Sequence, residues 1–222
     1  MLNEENERGK MNILFVGGTG FIGRPTVAYL LGKGHRISVW TRNIERAKDL
    51  LGEEIIFISP DVTLEDLKLE IECADAVINM AGEPLIGVRW NKRKKREFVD
   101  SRVGLNKTIS KLIGECKNPP SIFIAANAIG IYGNRGEHHL TESSSLGKDF
   151  LSQLCLEWEL AALESRKFGT RVCVLRMGIV IGREGGMLQK MMNGFQLGVG
   201  SYLGSGKQTL SWVHFHDVVK II

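Results

Sequence analysis

A glycine-rich turn, Gly17-Gly18-Thr19-Gly20-Phe21-Ile22-Gly23, follows directly on the apolar run Asn12–Val16 and opens an amphipathic stretch, Phe21–Lys33. It satisfies Gly-x-Gly-x-x-Gly from Gly18 and Gly-x-x-Gly-x-x-Gly from Gly17. Glycine at these spacings allows a tight strand-to-helix turn, close approach of backbone N–H groups to a diphosphate, and close packing of helix on strand. The helix that starts there points the positive end of its dipole at the phosphates. The turn therefore predicts a strand–loop–helix unit in which Gly17, Thr19, Gly20, Phe21, Ile22 and Gly23 face a dinucleotide.

The rest of the chain repeats that alternation. Asn12–Val16, Arg36–Trp40, Glu54–Ile58, Asp75–Asn79, Ser121–Ala126 and Arg171–Arg176 are short runs rich in Ile, Val and Phe. They do not alternate apolar with polar residues, as expected of parallel strands covered on both faces. Between them lie helical patterns at Phe21–Lys33, Ile44–Leu51, Leu64–Ile71, Asn91–Cys116 and Lys148–Arg166. In the first, Gly34 is a C-cap glycine. This order predicts an α/β fold, a doubly wound parallel sheet of the Rossmann kind with right-handed crossovers. Residues 11–182 would form that domain, and 183–222 the start of a smaller substrate-side portion. His214–Ile222 reads as a helix cut after about two turns, so that portion is expected to be truncated.

Composition narrows the function. The 222 residues are 43% hydrophobic and 24% charged with a net charge of +4, an ordinary globular balance. No apolar run reaches the ~18 residues of a membrane span. Residues 1–10 lack a signal sequence's apolar core and are too acidic for a transit peptide, and are read as a disordered tail. Cys73, Cys116, Cys155 and Cys173 form no Cys-x-x-Cys pair. They are expected as buried free thiols in a reducing, cytoplasmic setting. The basic run Lys92–Arg96 has no interleaved aromatic residue for base stacking. It is expected to be the solvated face of a helix that raises the potential toward an anionic cofactor, not a nucleic-acid site. His214-x-His216 would place both rings on one face of a strand, but no third ligand is evident, so no metal is expected.

The second strand run ends at Trp40 and continues Thr41-Arg42-Asn43. An NAD site usually places Asp or Glu here for the ribose 2′-hydroxyl. Arg42 instead can pair with a 2′-phosphate and stack on adenine. Thr41 and Arg42 therefore point to NADP(H) rather than NAD(H).

With these residues in place the chain resembles the extended short-chain dehydrogenases/reductases, and within them an atypical epimerase-family branch. The resemblance runs from Met11 to the end. It is carried by Gly17–Gly23, Asn79-Met80-Ala81-Gly82-Glu83-Pro84, Arg89-Trp90-Asn91, Ser101-Arg102-Val103, Gly130-Ile131-Tyr132-Gly133, Trp158-Glu159, Arg176–Gly182 and Trp212–Asp217. It implies NADP along the strand ends, with Met80, Ala81 and Gly82 beside it, Arg102 near its phosphates or ribose, and Glu97 and Val180 at its margin. It also implies a small-molecule substrate, unspecified, with no membrane partner, and is compatible with a homodimer.

Active members of that superfamily use Ser/Thr, Tyr and Lys, the lysine lowering the tyrosine's pKa. Here Tyr-x-x-x-Lys occurs only at Tyr29 and Lys33, in the helix after the glycine turn. Aligning the family's glutamate with Glu159 places Leu151 and Cys155 at the tyrosine and lysine positions; a shift by one gives Phe150 and Leu154. Asn127 or Ala126 stands where Ser/Thr is expected. A reduced carbonyl needs a proton donor. Asn127, Tyr132 and His214 are the candidates, with Asn127 or Tyr132 expected to face the reacting position and Leu151 and Cys155 to make it apolar. The expected function is an NADP-dependent oxidoreductase or epimerase-like enzyme with a non-standard donor. The alternative is an NADP(H)-binding sensor or scaffold without turnover.

Overall fold

The computed structural model describes residues 9–198, 200 and 206–222. Residues 1–8 of the expected tail, and 199 and 201–205 of the substrate-side portion, lie outside the described residues.

Six strands form one fully parallel sheet in the order β3-β2-β1-β4-β5-β6. They are β1 (Asn12–Val16), β2 (Arg36–Trp40), β3 (Ile56–Ile58), β4 (Ala76–Asn79), β5 (Ile122–Ala128) and β6 (Arg171–Met177). The order in which successive strands are added reverses between β1 and β4, the crevice where such parallel sheets bind ligands. The connecting helices are α1 (Gly23–Gly32), α2 (Ile44–Leu51), α3 (Leu64–Glu72), α4 (Lys92–Val99), α5 (Leu105–Glu115) and α6 (Phe150–Leu163). A smaller unit follows: β7 (Ile179–Gly182), α7 (Gly186–Gln196), β8 (Trp212–His214) and α8 (Phe215–Ile221), with β7 and β8 paired in parallel.

Burial on both faces explains the unbroken apolar runs. In β1, Ile13 and Phe15 pack with Val27, Leu30 and Val39 in one cluster. Leu14 and Val16 pack with Leu67, Ile71, Ile109 and Ile113 in the other. Successive side chains of one strand thus serve two cores. Each fully buried side chain contributes about 1.5–3 kcal/mol.

Helix starts follow from capping chemistry. The side chains of Asn43, Thr63, Asn91 and Asp149 accept from the backbone N–H three residues on, at 2.9, 3.1, 2.9 and 2.9 Å. Each such cap contributes about 1 kcal/mol. α1 differs: its N-cap is Ile22, with no side-chain cap and no acidic residue in its first turn. It begins two residues later than Phe21, because the glycine turn extends to Ile22. Gly34, at φ +86°, lies just beyond its end.

The stretch Asn91–Cys116 is not one regular α-helix. A π turn, Asp100–Gly104, joins α4 to α5. Wide turns of this kind often mark functional sites. This one turns Arg102 and Val103 inward, whereas Lys94 and Glu97 stay on the outer rim.

Candidate functional site

The loop after β1 is set by two close approaches. Gly17 has φ +84°, and a Cβ there would lie 2.6 Å from the Ala81 backbone nitrogen. At Gly23 a Cβ would lie 2.2 Å from the Gly17 carbonyl oxygen. Only glycine fits either position. Gly20 is different: a Cβ would meet only the Gly17 oxygen, at 3.2 Å, so its outer side is open. The first N–H groups of any α-helix lack intrahelical acceptors. Here, at α1, no side chain supplies one. The residues present thus fit a diphosphate.

Phe21 leans the other way. Its ring packs on Gly182, Gly185 and Gly186, where added Cβ atoms would lie 2.8, 2.5 and 3.0 Å from it, and sits 6.1 Å from Phe215. The glycine loop is thereby tied to the β7–α7 turn and α8. Val180 lies mid-β7, paired with Val213.

The loop after β4 supplies the second wall. Met80 N–H donates to the Val16 carbonyl at 2.9 Å, and Ala81 N–H to the Asn79 side chain at 3.0 Å. The Asn79 amide donates to Asn106 at 2.7 Å, and Asn106 donates to the Trp158 carbonyl at 3.1 Å. This buried relay ties β4 to α5 and α6. The sequence signal for this relay is a polar residue, Asn106, on the buried side of an otherwise apolar helical pattern.

Around the rim, Thr41 N–H pairs with the Ile58 carbonyl, and Arg42 extends outward with its side chain 92% exposed. The Arg42 guanidinium stands 3.8 Å from the Glu83 carboxylate, and Lys94 stands 3.6 Å from it. Glu97 pairs with Lys94 and Arg93, and these cations hold its carboxyl below the usual carboxylate range. Arg102 lies inside this rim. It is 8% exposed and donates to the Glu83 carbonyl at 2.9 Å and to Ser101 Oγ at 3.3 Å. Its guanidinium lies over Gly82 and 5.2 Å from the Trp158 ring centroid.

A family profile, NAD dependent epimerase/dehydratase family, matches residues 13–222, a span that takes in the β1 loop, the crevice and the rim. The chain belongs to that family. The Epimerase family protein SDR39U1 homolog, chloroplastic, of Arabidopsis thaliana is 34% identical over all of this chain and 64% of its own length. Epimerase family protein YfhF of Bacillus subtilis is 32% identical over 96% of this chain and 69% of its own. The chain thus spans about two thirds of the length of these relatives. Among solved structures, human epimerase family protein SDR39U1 (isoform 2) with NADPH superposes with a TM-score of 0.80 and 30% identity, covering 95% of this chain and 68% of that one. A UDP-glucuronic acid 4-epimerase from Bacillus cereus, 18% identical, shares the fold with a TM-score of 0.78.

At the far end of the crevice, the family resemblance led to Asn127 and Tyr132, and the structure gives both other partners. Asn127 is buried; its amide donates to the Cys155 carbonyl at 3.0 Å and to Glu159 at 3.1 Å. Its oxygen accepts from Ala128 N–H at 2.8 Å. Arg176 grips Glu159 with two bonds, at 2.9 and 2.7 Å, and donates to the Tyr132 hydroxyl at 2.8 Å. Asn127 is therefore a strut between β5 and α6 rather than a free donor, because Glu159 and the α6 backbone use its amide. The Tyr132 hydroxyl is engaged by a cation. His214 closes β8 and caps α8, accepting weakly from His216 N–H at 3.4 Å. The two histidines do not share a strand face, because the chain turns helical at Phe215.

α6 contains no tyrosine, lysine or arginine. Cys155 is buried, and burial pushes its thiol up to about 11. Leu151 packs with Phe98, Leu154 and Trp158, and Phe150 with Trp90 edge-on at 5.9 Å. A cleft of about 620 Å³ runs along β6 beside Glu159, Arg176, Val213 and Val218; the glycine loop is not part of its lining. Among the described residues, no cluster of three His, Cys, Asp or Glu could hold a metal ion. No described helix is long and apolar enough to cross a membrane.

Proposed function

We propose that the chain binds NADP(H) across the carboxyl ends of β1, β2, β4 and β5, as the cofactor domain of an oxidoreductase or epimerase-like enzyme. The observation that carries this reading is the glycine loop: backbone contact forces Gly17 and Gly23, whereas Gly20 and the uncapped start of α1 stay open. Gly17, Thr19, Gly20, Phe21, Ile22 and Gly23 would hold the diphosphate. Met80, Ala81, Gly82, Arg102 and Val180 would line the groove, with Glu97 at its rim. Arg42 supports NADP(H) over NAD(H): it is an exposed cation at the end of β2, where an acidic residue would favour NAD. The human relative solved with NADPH supports the same choice.

The bound nicotinamide would supply hydride transfer; this chain's residues would bind it, orient it and exclude water. Residues 183–222 would begin the substrate side, held to the loop through Phe21. One observation favours a second reading, an NADP(H) sensor without turnover: Asn127 and Tyr132 are both engaged within the protein. The two separate in one assay, NADPH absorbance at 340 nm with a panel of small carbonyl compounds and nucleotide sugars. The enzyme reading predicts oxidation above the protein-free rate with at least one compound. Tight NADPH binding with no oxidation across the panel supports the sensor.

A further inference from the structure

The positive charge of the chain is concentrated in one stretch. Residues 83–97 carry six cations, Arg89, Lys92, Arg93, Lys94, Lys95 and Arg96, against two acids, Glu83 and Glu97. That excess of four equals the net charge of the whole chain, +4. Both acids are already engaged: Glu83 faces Arg42 and Lys94, and Glu97 pairs with Lys94 and Arg93. Among the described residues, no carboxylate lies within 4 Å of Arg89, Lys92, Lys95 or Arg96.

Their placement says what those four cations face. On α4, Lys92, Lys95 and Arg96 fall at three- and four-residue spacing and share a face. Lys94 reaches toward the Arg42 side of the rim through Glu83. Lys95 instead faces the start of α6, with its ammonium 4.6 Å from the Phe150 ring centroid. Trp90, just before α4, meets Phe150 edge-on at 5.9 Å and the buried Phe98 at 5.4 Å. Its indole N–H donates to the Leu85 carbonyl at 3.0 Å, which fixes the ring. Trp90 is nevertheless 39% exposed, and Val88 beside it is exposed as well. Trp90 belongs to the loop after β4, and Phe150 opens the helix after β5. The pair thus stands at the carboxyl ends of β4 and β5, farther across the sheet from Arg42 than the glycine loop is. A fixed, partly bare aromatic surface ringed by cations without counter-charges is complementary to a flat organic anion. The rings suit an apolar body, and the cations suit its charged group.

We propose that Trp90, Phe150 and Lys95, with Arg89, Lys92 and Arg96 around them, form the substrate-side wall of the crevice and select a carboxylate carried on a flat apolar body. The proposal rests on the oxidoreductase reading above and names its substrate class. Lys95 would meet the carboxylate and Trp90 the apolar body, so these two set the specificity. Lys94, turned to the Arg42 side, would take no part.

Calorimetric titration of 2-naphthoate and of its uncharged counterpart 2-naphthamide tests this, with and without NADPH, on the wild type, Lys95→Met, Lys95→Arg, Lys94→Met and Trp90→Leu. Thermal unfolding of each variant reports that it is folded. The wild type is expected to bind 2-naphthoate at least about tenfold tighter than 2-naphthamide. Lys95→Met should weaken 2-naphthoate about five- to tenfold and leave 2-naphthamide within about twofold. Lys95→Arg should keep the preference for the anion, and Trp90→Leu should weaken both ligands alike. Equal affinity of the wild type for the two ligands, or no heat from either at about 5 mM, would overturn the proposal. So would an unchanged preference in Lys95→Met, or a loss in Lys94→Met as large as in Lys95→Met. Titration of NADPH alone tests the underlying reading separately: absence of NADPH binding with the naphthoate preference retained would overturn the cofactor reading and support the anion site.

Discussion

Adding one methyl group to the glycine loop at two positions three residues apart should separate folding from cofactor binding. At Gly23 the new Cβ would lie 2.2 Å from the Gly17 carbonyl oxygen, 2.8 Å from Gly18 Cα and 2.9 Å from Gly18 C. All three are backbone atoms that cannot swing aside. Ordinary contact is at roughly 3.5 Å, so loop and helix must part by about 1 Å. Overpacking of this kind costs about 1–3 kcal/mol; the obstacle is backbone, so the upper end applies. The better helix propensity of alanine returns about 1 kcal/mol. The net loss of about 2 kcal/mol lowers Tm by roughly 4–8 °C for a domain of this size. At Gly20 the Cβ would meet only the Gly17 oxygen, at 3.2 Å, and φ is not positive. Gly20→Ala should therefore hold Tm within about 2 °C. It should nevertheless lose at least about tenfold in NADPH affinity, because the methyl enters the space where backbone must approach the diphosphate. Thermal unfolding followed by circular dichroism, with calorimetric NADPH titration, reads both. Wild-type NADPH affinity in Gly20→Ala would refute the cradle. Unchanged Tm and affinity in Gly23→Ala would refute the close-approach argument.

Arg42→Ala should weaken NADPH by about 1–3 kcal/mol and leave NADH nearly unchanged; an unaltered ratio of the two affinities would remove Arg42 from the 2′-phosphate. Asn106→Leu should destabilise the fold by about 2–4 kcal/mol, since it strands the buried Asn79 amide and the Trp158 carbonyl; a urea midpoint equal to wild type would contradict the relay. The folded pKa of Cys155 is raised to about 11 by burial, so the native state keeps a proton that the unfolded chain releases near pH 9. Stability from this group is complete below pH 9 and is lost as pH rises through 11, by about 2 kcal/mol at pH 11. Parallel Tm-against-pH curves for the wild type and Cys155→Ala over pH 8–11 would contradict that sign.

The sheet was legible because its strands are buried on both faces: Ile13-Leu14-Phe15-Val16 is unbroken since odd and even residues each meet a core. The glycine loop was legible because Gly17 and Gly23 are forced by backbone contact within seven consecutive residues. The π turn was not, since inserting one extra residue per turn barely disturbs the apolar spacing of Phe98, Leu105, Ile109 and Leu112. The roles of Asn127 and Tyr132 escaped the sequence for another reason. Their partners, Glu159 and Arg176, lie 32 and 44 residues away, and only the β5–α6–β6 packing brings them together. His214 and His216 looked like a strand pair because nothing in their spacing announces that the chain turns helical at Phe215.

The central claim is that this crevice is an NADP(H) site, and one calorimetric comparison of NADPH with NADH on the wild-type chain tests it most directly. The account predicts saturable binding of one NADPH per chain, at least about tenfold tighter than NADH, the preference of a charge-assisted contact to the 2′-phosphate. No heat from either nucleotide, or NADH binding as tightly as NADPH, would contradict it.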